Sequence, residues 1–220
     1  MRPAPEMSHG PAVYLAYGVY GVVIGEDLAL IDLASDAYLC LPGGGADVTE
    51  AHGVLRIHGQ SATAISDAGL ASTSPSTTPA KTPPPLPVRS IIHDPAPKVT
   101  LLMGLRGLAA TGDVRRALRG RGLEPILSVA ATSDQACDPS AVEAAARRFW
   151  ALSPWLPFEG ECLVRSALLV SYLRRCGLSA SWVFGVRLWP FSAHCWVQVD
   201  AVCLNDDVER LAAYAPIYCR

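Results

Sequence analysis

Residues 158–207 read FEGECLVRSALLVSYLRRCGLSASWVFGVRLWPFSAHCWVQVDAVCLNDD, and a change of periodicity within them decides the fold. From Glu161 to Arg175, Leu163, Ala167, Val170 and Arg174 recur on one helical face, and Gly177 is placed to close the helix. Ala180–Arg187, His194–Val199 and Val202–Asn205 then read as strands, the last two joined by the two-residue connection Asp200-Ala201. A helix feeding an antiparallel sheet is an α+β arrangement.

Upstream, Pro139–Leu152 reads as a helix with Asp138 as N-cap and Pro139 at its first position. Lys98–Ala110 and Asp113–Arg119 read as two shorter helices, broken by Gly112 and ended by Gly120. Residues 72–87, STSPSTTPAKTPPPLP, hold six prolines and seven Ser or Thr, a composition that favours an extended linker over a core. Before it, Val19–Ile24, Leu28–Leu33 and Ala37–Leu41 form a small β-meander that stops at Pro42, with helices expected after it and Asp47 or Thr49 as candidate caps. The expected organisation is therefore a domain over 1–71, a linker over 72–87 and a second domain over 88–220.

Of the 220 residues 50% are hydrophobic and 17% charged, ample for a buried core. The formal net charge of −2 lacks the basic excess of a nucleic-acid-binding protein, so no nucleic-acid partner is expected. The longest uncharged stretch, residues 11–25, is too short and glycine-rich to span a bilayer and lacks the pattern of a signal peptide. Seven cysteines, an odd number without a CxxC pair, favour free thiols in the cytoplasm over a disulfide framework or zinc site.

Cys162 falls in the first turn of the 161–175 helix, where backbone N–H groups and the helix dipole stabilise a thiolate. His194 opens a strand thirty-two residues later and offers the base or imidazolium that a thiolate nucleophile requires. If Asp200-Ala201 is the hairpin turn, His194 faces Asp207, with Asp206 and Asn205 close in register; the spacing places an acid beside the imidazole without choosing which. Cys195, next along the strand, is expected to point away from this group. Cys40, Cys176, Cys203 and Cys219 read as small buried residues. His9, His52, His58 and His93 read as structural or exposed, the five tryptophans as core or pocket wall, and the Arg115-Arg116 and Arg174-Arg175 pairs as solvated helix faces.

Several of these elements, in this order and spacing, resemble the protease domain of lasso peptide biosynthesis B proteins. They are Cys162-Leu163-x-Arg165-Ser166, Leu173-Arg174-Arg175-x-Gly177, Phe184-Gly185-Val186, Ala193-His194-x-Trp196-Val197 and Asp206. Cys195 and Gln198 stand where alanine and glutamate are commoner in that family. The resemblance implies a transglutaminase/papain-like cysteine peptidase that removes the leader from a ribosomal precursor peptide, with Cys162 as nucleophile, His194 as base and acid, and Asp206 as orienting carboxylate. Residues 21–42 are similar to the three-stranded part of the winged-helix-like leader-recognition element fused to such peptidases. By that likeness the leader adds as a strand beside Ala37, Tyr38, Leu39, Cys40 and Leu41. A lasso cyclase of asparagine-synthetase type is the implied partner, and no cofactor or metal is implied. Two other readings use the same residues: a non-catalytic leader-binding chaperone, and an acyltransferase whose acceptor is an amine.

Overall fold

The structure is a computed structural model that describes residues 12–51, 53–75, 81–95, 97–130, 137–157 and 160–220. The chain divides into two compact units, one of residues up to Ala80, the turn 34–36 apart, and one of Lys81–Arg220. In chain order the first unit holds β1 (Val13–Leu15), β2 (Val19–Ile24), β3 (Asp27–Asp32), β4 (Ala37–Leu41), β5 (Val48–Ala51), β6 (Val54–Ile57), α1 (Gly59–Asp67) and β7 (Ala71–Ser72). The second holds β8 (Arg89–Ser90), α2 (Leu101–Ala117), α3 (Glu124–Leu127), α4 (Pro139–Leu152), α5 (Cys162–Arg175), β9 (Ser181–Arg187), β10 (Ser192–Val199), β11 (Val202–Cys203), α6 (Val208–Leu211) and β12 (Ala215–Cys219).

In the first unit the expected meander forms a sheet of order β2-β3-β4, with β4 at its edge. β3 is buried on both faces; on one of them Leu28 and Leu30 meet Ile57, Ala62 and Ile65, with Leu39 and Leu41 of β4 packed around them. The segment after the meander differs from the helical expectation. β5 and β6 form a hairpin whose turn includes Gly53 at φ 73°, and together with β1 and β7 they make a second sheet of order β5-β6-β1-β7. The β-branched residues Val48, Thr49, Val54 and Ile57 suit a pleated surface better than a short helix interrupted by glycine. Asp47 does cap a helix, but a later one: its Oδ2 accepts the backbone N–H of Ser61 in the first turn of α1 at 3.0 Å.

In the second unit five strands order as β12-β9-β10-β11-β8, with β8 parallel to β11 and the other pairs antiparallel. β12 and β8 were not anticipated; both are edge strands completed by distant sequence, which local periodicity does not report. The hairpin register is the one expected, with Val199 opposite Val202 and Gln198 opposite Cys203. One face of the sheet carries a cluster of Val183, Trp196, Cys203, Leu211, Tyr214 and Cys219. α5 packs on β10, and α2 and α4 pack on α5.

α4 has the expected bounds, and Asp138 Oδ1 accepts the N–H of Ser140 at 3.0 Å. α5 ends as its sequence requires: Gly177 at φ 73° lets its own N–H reach Arg174 O and that of Leu178 reach Leu173 O. α2, by contrast, is one helix capped by Thr100, not two broken at Gly112. Burial of Met103, Ala110 and Val114 in the helical layer offsets the glycine cost of about 1 kcal/mol per residue. The Arg174-Arg175 pair is not simply solvated: both guanidiniums bond Asp113 of α2, at 3.2 and 2.8 Å, and tie α2 to α5. Arg115 likewise bonds the carbonyl of Pro157 at 3.2 Å.

The proline-rich segment is described in part. Residues 76–80 lie outside the described residues, as do His9 and His52. Further on, the Pro85 carbonyl accepts from Gln198 Nε2 at 3.0 Å and Leu86 packs against the cluster under the sheet. Among the tryptophans Trp182 and Trp196 are fully buried, whereas Trp155 and Trp189 are exposed, which the reading of all five as core or pocket wall did not anticipate. Cys203 and Cys219 are buried, while Cys40 and Cys176 are only partly so. No described helix is long and apolar enough to cross a membrane.

The two glycines of α2 separate packing from propensity. A Cβ at Gly107 lies 2.3 Å from Leu152 Cδ2, whereas at Gly112 it meets nothing within 4 Å. In urea denaturation Gly107→Ala is expected to lower stability by about 1–3 kcal/mol. Gly112→Ala is expected to raise it by about 0.5–1 kcal/mol.

Candidate active site

α5 begins at Cys162, and its N-cap Glu161 has an extended backbone and makes no side-chain capping bond. The sulfur therefore sits at the positive end of a 14-residue helix. β10 brings His194 beside it, 5% exposed, with Tyr214 stacked obliquely at 5.3 Å between ring centroids. Gly185 lies opposite His194 on β9; a Cβ there comes within 2.8 Å of the Trp196 ring, so this strand position has no room for a side chain. His194 Nε2 and Asp206 Oδ2 are 2.6 Å apart, which leaves Nδ1 as the nitrogen for Cys162.

Asp206 reaches His194 because the β10–β11 ladder stops early. After Cys203 a single backbone bond remains, from the Leu204 N–H to Val197 O at 2.8 Å, and the Val197 N–H has no backbone acceptor across the hairpin. Instead Asn205 Oδ1 accepts the Val197 N–H at 2.7 Å and its Nδ2 donates to Ser166 Oγ of α5 at 2.8 Å. This buried amide fastens strand to helix and carries the chain to the next residue at the height of His194. Ser90 Oγ then donates to the Asp206 carbonyl at 2.7 Å, and the Asp207 N–H to Asp206 Oδ1 at 2.9 Å. Asp207, the residue opposite His194 in an unbroken ladder, instead pairs with the exposed His93 at 3.0 Å. The ladder's end is thus the physical reason that Asp206, and not Asp207, meets the imidazole.

The electrostatics follow from these contacts. The Cys162 thiol is pushed down to about 4: hydrogen bonding from the Cys195 side chain, then from His194 and the Cys195 backbone, with the imidazolium charge, outweighs desolvation. Burial alone lowers the pKa of His194, yet it is raised to about 9 by its bond to Asp206 and by its contact with the Cys162 sulfur. Burial of Asp206 is outweighed by the bond from His194 and by the Asp207 N–H, so its carboxyl lies below the usual range. The resting pair is a thiolate and an imidazolium, stable between the two values, which is the nucleophile–acid combination that amide cleavage through a thioester needs. It opens into a cavity of about 380 Å³ whose wall includes Gly160, Arg165, Ser192 and Arg210. The Arg165 guanidinium is held 5.4 Å over the Trp150 ring, and Trp150 Nε1 donates to Leu204 O.

Cys162, His194 and Asp206 thus share one site. Residues 37–41, the other candidate group, form β4 of the first unit. Phe158 and Glu159, which precede the site, lie outside the described residues. One expectation is corrected. Cys195 does not stand clear of the group: it lines the cavity into which Cys162 opens, with its Sγ 3.7 Å from Ser166 Oγ. Gln198 is fully buried and does not face the cavity; it accepts from Trp196 Nε1 at 2.7 Å and donates to Pro85 O and Asp200 O. The roles of Asn205 and Ser166 were missed. A buried Asn breaking an apolar strand was the available signal, though its partner on α5 is set by tertiary packing alone.

A helix-borne cysteine beside a strand-borne histidine and a carboxylate is an arrangement that can form a thioester, and it is found on several unrelated folds. Residues 108–219, just over half of the chain, match the model of the transglutaminase-like superfamily, and the chain belongs to that superfamily. No curated protein and no solved structure matches the chain.

The hydrogen bond from Asp206 gives a measurable signature. Asp206→Asn removes the carboxylate charge while keeping the side chain's shape, so desolvation acts on His194 with less opposition. Its titration, followed by the NMR shifts of the imidazole carbons, is expected to fall from about 9 toward the ordinary 6.5. An unchanged midpoint contradicts the assigned geometry.

Proposed function

We propose that this chain is a lasso peptide biosynthesis B protein, a leader peptidase that binds a ribosomal precursor and cuts its leader–core amide bond. The observation that carries the reading is the Cys162–His194–Asp206 constellation on a transglutaminase-like domain, with motif spacings that resemble those of lasso peptide B proteins. The Cys162 thiolate attacks the carbonyl at the junction, and the His194 imidazolium gives its proton to the departing amine of the core. A thioester to the leader remains. Water then attacks it, neutral His194 takes the proton, and the thiolate is released. The N–H of Cys162 at the helix start is a suitable donor to the tetrahedral oxyanion. Asp206 holds the imidazole in orientation throughout. The chemistry as written draws on no metal or organic cofactor.

The edge position of β4 supports a recognition role for the first unit: an extended leader can add a strand beside Ala37–Leu41. Tethering the leader to the same chain raises the concentration of the scissile bond at Cys162, so the cavity need not bind the junction tightly. The freed core amine is passed to an asparagine-synthetase-type cyclase, in the cytoplasm, where seven cysteines outside any disulfide remain reduced. Superfamily membership fits acyl transfer to another amine equally at the thioester step; the product mass separates the two.

Mass spectrometry of a leader–core peptide incubated with the protein is expected to show free leader acid and free core. Cys162→Ala is expected to abolish the cut while still binding the leader, as read by fluorescence anisotropy; Asp206→Asn should slow it about 10²–10⁴-fold. Cleavage by Cys162→Ala contradicts the nucleophile, and binding without cleavage by the wild type favours a presenting chaperone. Added leader is expected to protect backbone amides of residues 37–41 from hydrogen exchange; unaltered exchange there contradicts strand addition.

A further inference from the structure

α2 is apolar on two sides. At about 100° per residue, Met103, Ala110 and Val114 form one face, which is buried in the helical layer. Leu101, Leu105, Leu108 and Gly112 fall on the opposite face, within an arc of about 60°. That second face is bare. Leu101 is 82% exposed, Leu105 57% and Leu108 54%, with Leu102 exposed beside them, and a Cβ at Gly112 meets nothing within 4 Å. Single exposed leucines need no explanation, but this cluster on one helix makes a continuous apolar ridge, the kind of patch that marks an interaction surface.

Charge decides what fits the ridge. From Lys98 to Arg121 the sequence has six basic residues and one acid, Asp113, in a chain whose net charge is −2. Asp113 is engaged within the domain by Arg174, Arg175 and Ser171. Arg106 bonds Cys176 Sγ, and Arg115 bonds the Pro157 carbonyl. Lys98 before the ridge and Arg116, Arg119 and Arg121 after it all face solvent, Arg116 reaching Asp113 only at 3.8 Å. Cations thus bracket an apolar middle. A second copy does not suit this face: an antiparallel pair that sets Leu105 against Leu108 also sets Lys98 against Arg115, and a parallel pair sets each cation against itself. The leucines project from one helix as a ridge, which a fluid apolar phase accommodates without a matching groove. Leucines flanked by Lys and Arg are the composition of a helix that lies in a lipid interface. Trp155, also exposed, stands two residues before the carbonyl that takes Arg115, and tryptophan settles at headgroup level.

We propose that α2 docks this chain on an anionic lipid surface. Leu101, Leu102, Leu105 and Leu108 enter the acyl boundary, and Lys98, Arg116, Arg119 and Arg121 meet the headgroups. The helix lies along the interface, its other face still packed on α4 and α5. None of these residues lines the Cys162 cavity, so the proposal is independent of the peptidase reading.

The test is co-sedimentation of the full chain with vesicles of phosphatidylcholine alone and of phosphatidylcholine with about one-third phosphatidylglycerol. The variants are Leu105→Glu/Leu108→Glu and Arg116→Glu/Arg119→Glu, at exposed positions where circular dichroism is expected to show an unaltered fold. The wild type is expected to pellet with the anionic vesicles and to stay in solution with the neutral ones. Each double variant is expected to lower the partition coefficient about tenfold or more. Raising salt from about 0.1 to about 1 M is expected to release the wild type as well. No pelleting with anionic vesicles overturns the proposal, as does equal pelleting with neutral ones or a leucine variant that binds like the wild type. A dimer in sedimentation velocity that the leucine variant abolishes, without vesicle binding, gives the face to a second copy and overturns it too.

Discussion

The buried side chain of Asn205 is the joint on which the second unit turns. Its carbonyl takes a β10 N–H in place of a backbone partner, and its amide reaches Ser166 on α5. An isolated amide at 4% exposure costs several kcal/mol, so these bonds are stabilising chiefly because leaving them unmade is expensive. The same joint sets three positions at once. It ends the β10–β11 ladder, fixes α5 against the strand, and delivers Asp206 to His194. Cys162 and His194 thereby stand on packed, regular elements, and Asp206 lies on the bend that Asn205 anchors.

The site's chemistry then follows from burial acting on mutually compensating charges. Asp206 is negative because His194 donates to it, His194 stays protonated because Asp206 and the sulfur face it, and Cys162 is ionised because donors surround it. Each group alone is disfavoured by desolvation; together they form a chain of opposite charges reaching from the carboxylate to the mouth of the cavity. Removal of any one leaves its neighbour uncompensated, which is why the three act as a unit. Arg210 lies 3.9 Å from Asp206 at 59% exposure, too solvated to replace the imidazolium.

How much of this was legible depended on whether a signal was local. The ends of α5, the Asp138 cap and the Asp200-Ala201 register are set by neighbouring residues, and each was readable from sequence alone. Cys162 and His194 could be named because a helix start and a strand after it are local facts. The choice among Asn205, Asp206 and Asp207 was not local, since it required knowing that Asn205 would be captured by α5. The continuity of α2 across Gly112, the pairing of β12 with β9 and the docking of Pro85 on Gln198 likewise depend on partners far along the chain. In the first unit the meander was plain, but β5 and β6 were hidden by short length and glycine-rich flanks, where propensity does not separate a frayed helix from a hairpin.

A leader peptide ending in a vinyl sulfone at the position of the scissile carbonyl tests the central assignment most directly. Recognition by the first unit and attack by the thiolate both have to operate for it to react. The expected result is one covalent adduct per chain, mapped by peptide mass to Cys162 and absent from Cys162→Ala. Labelling at another cysteine, or cleavage of the normal precursor undiminished by the trap, contradicts Cys162 as the nucleophile of a leader peptidase.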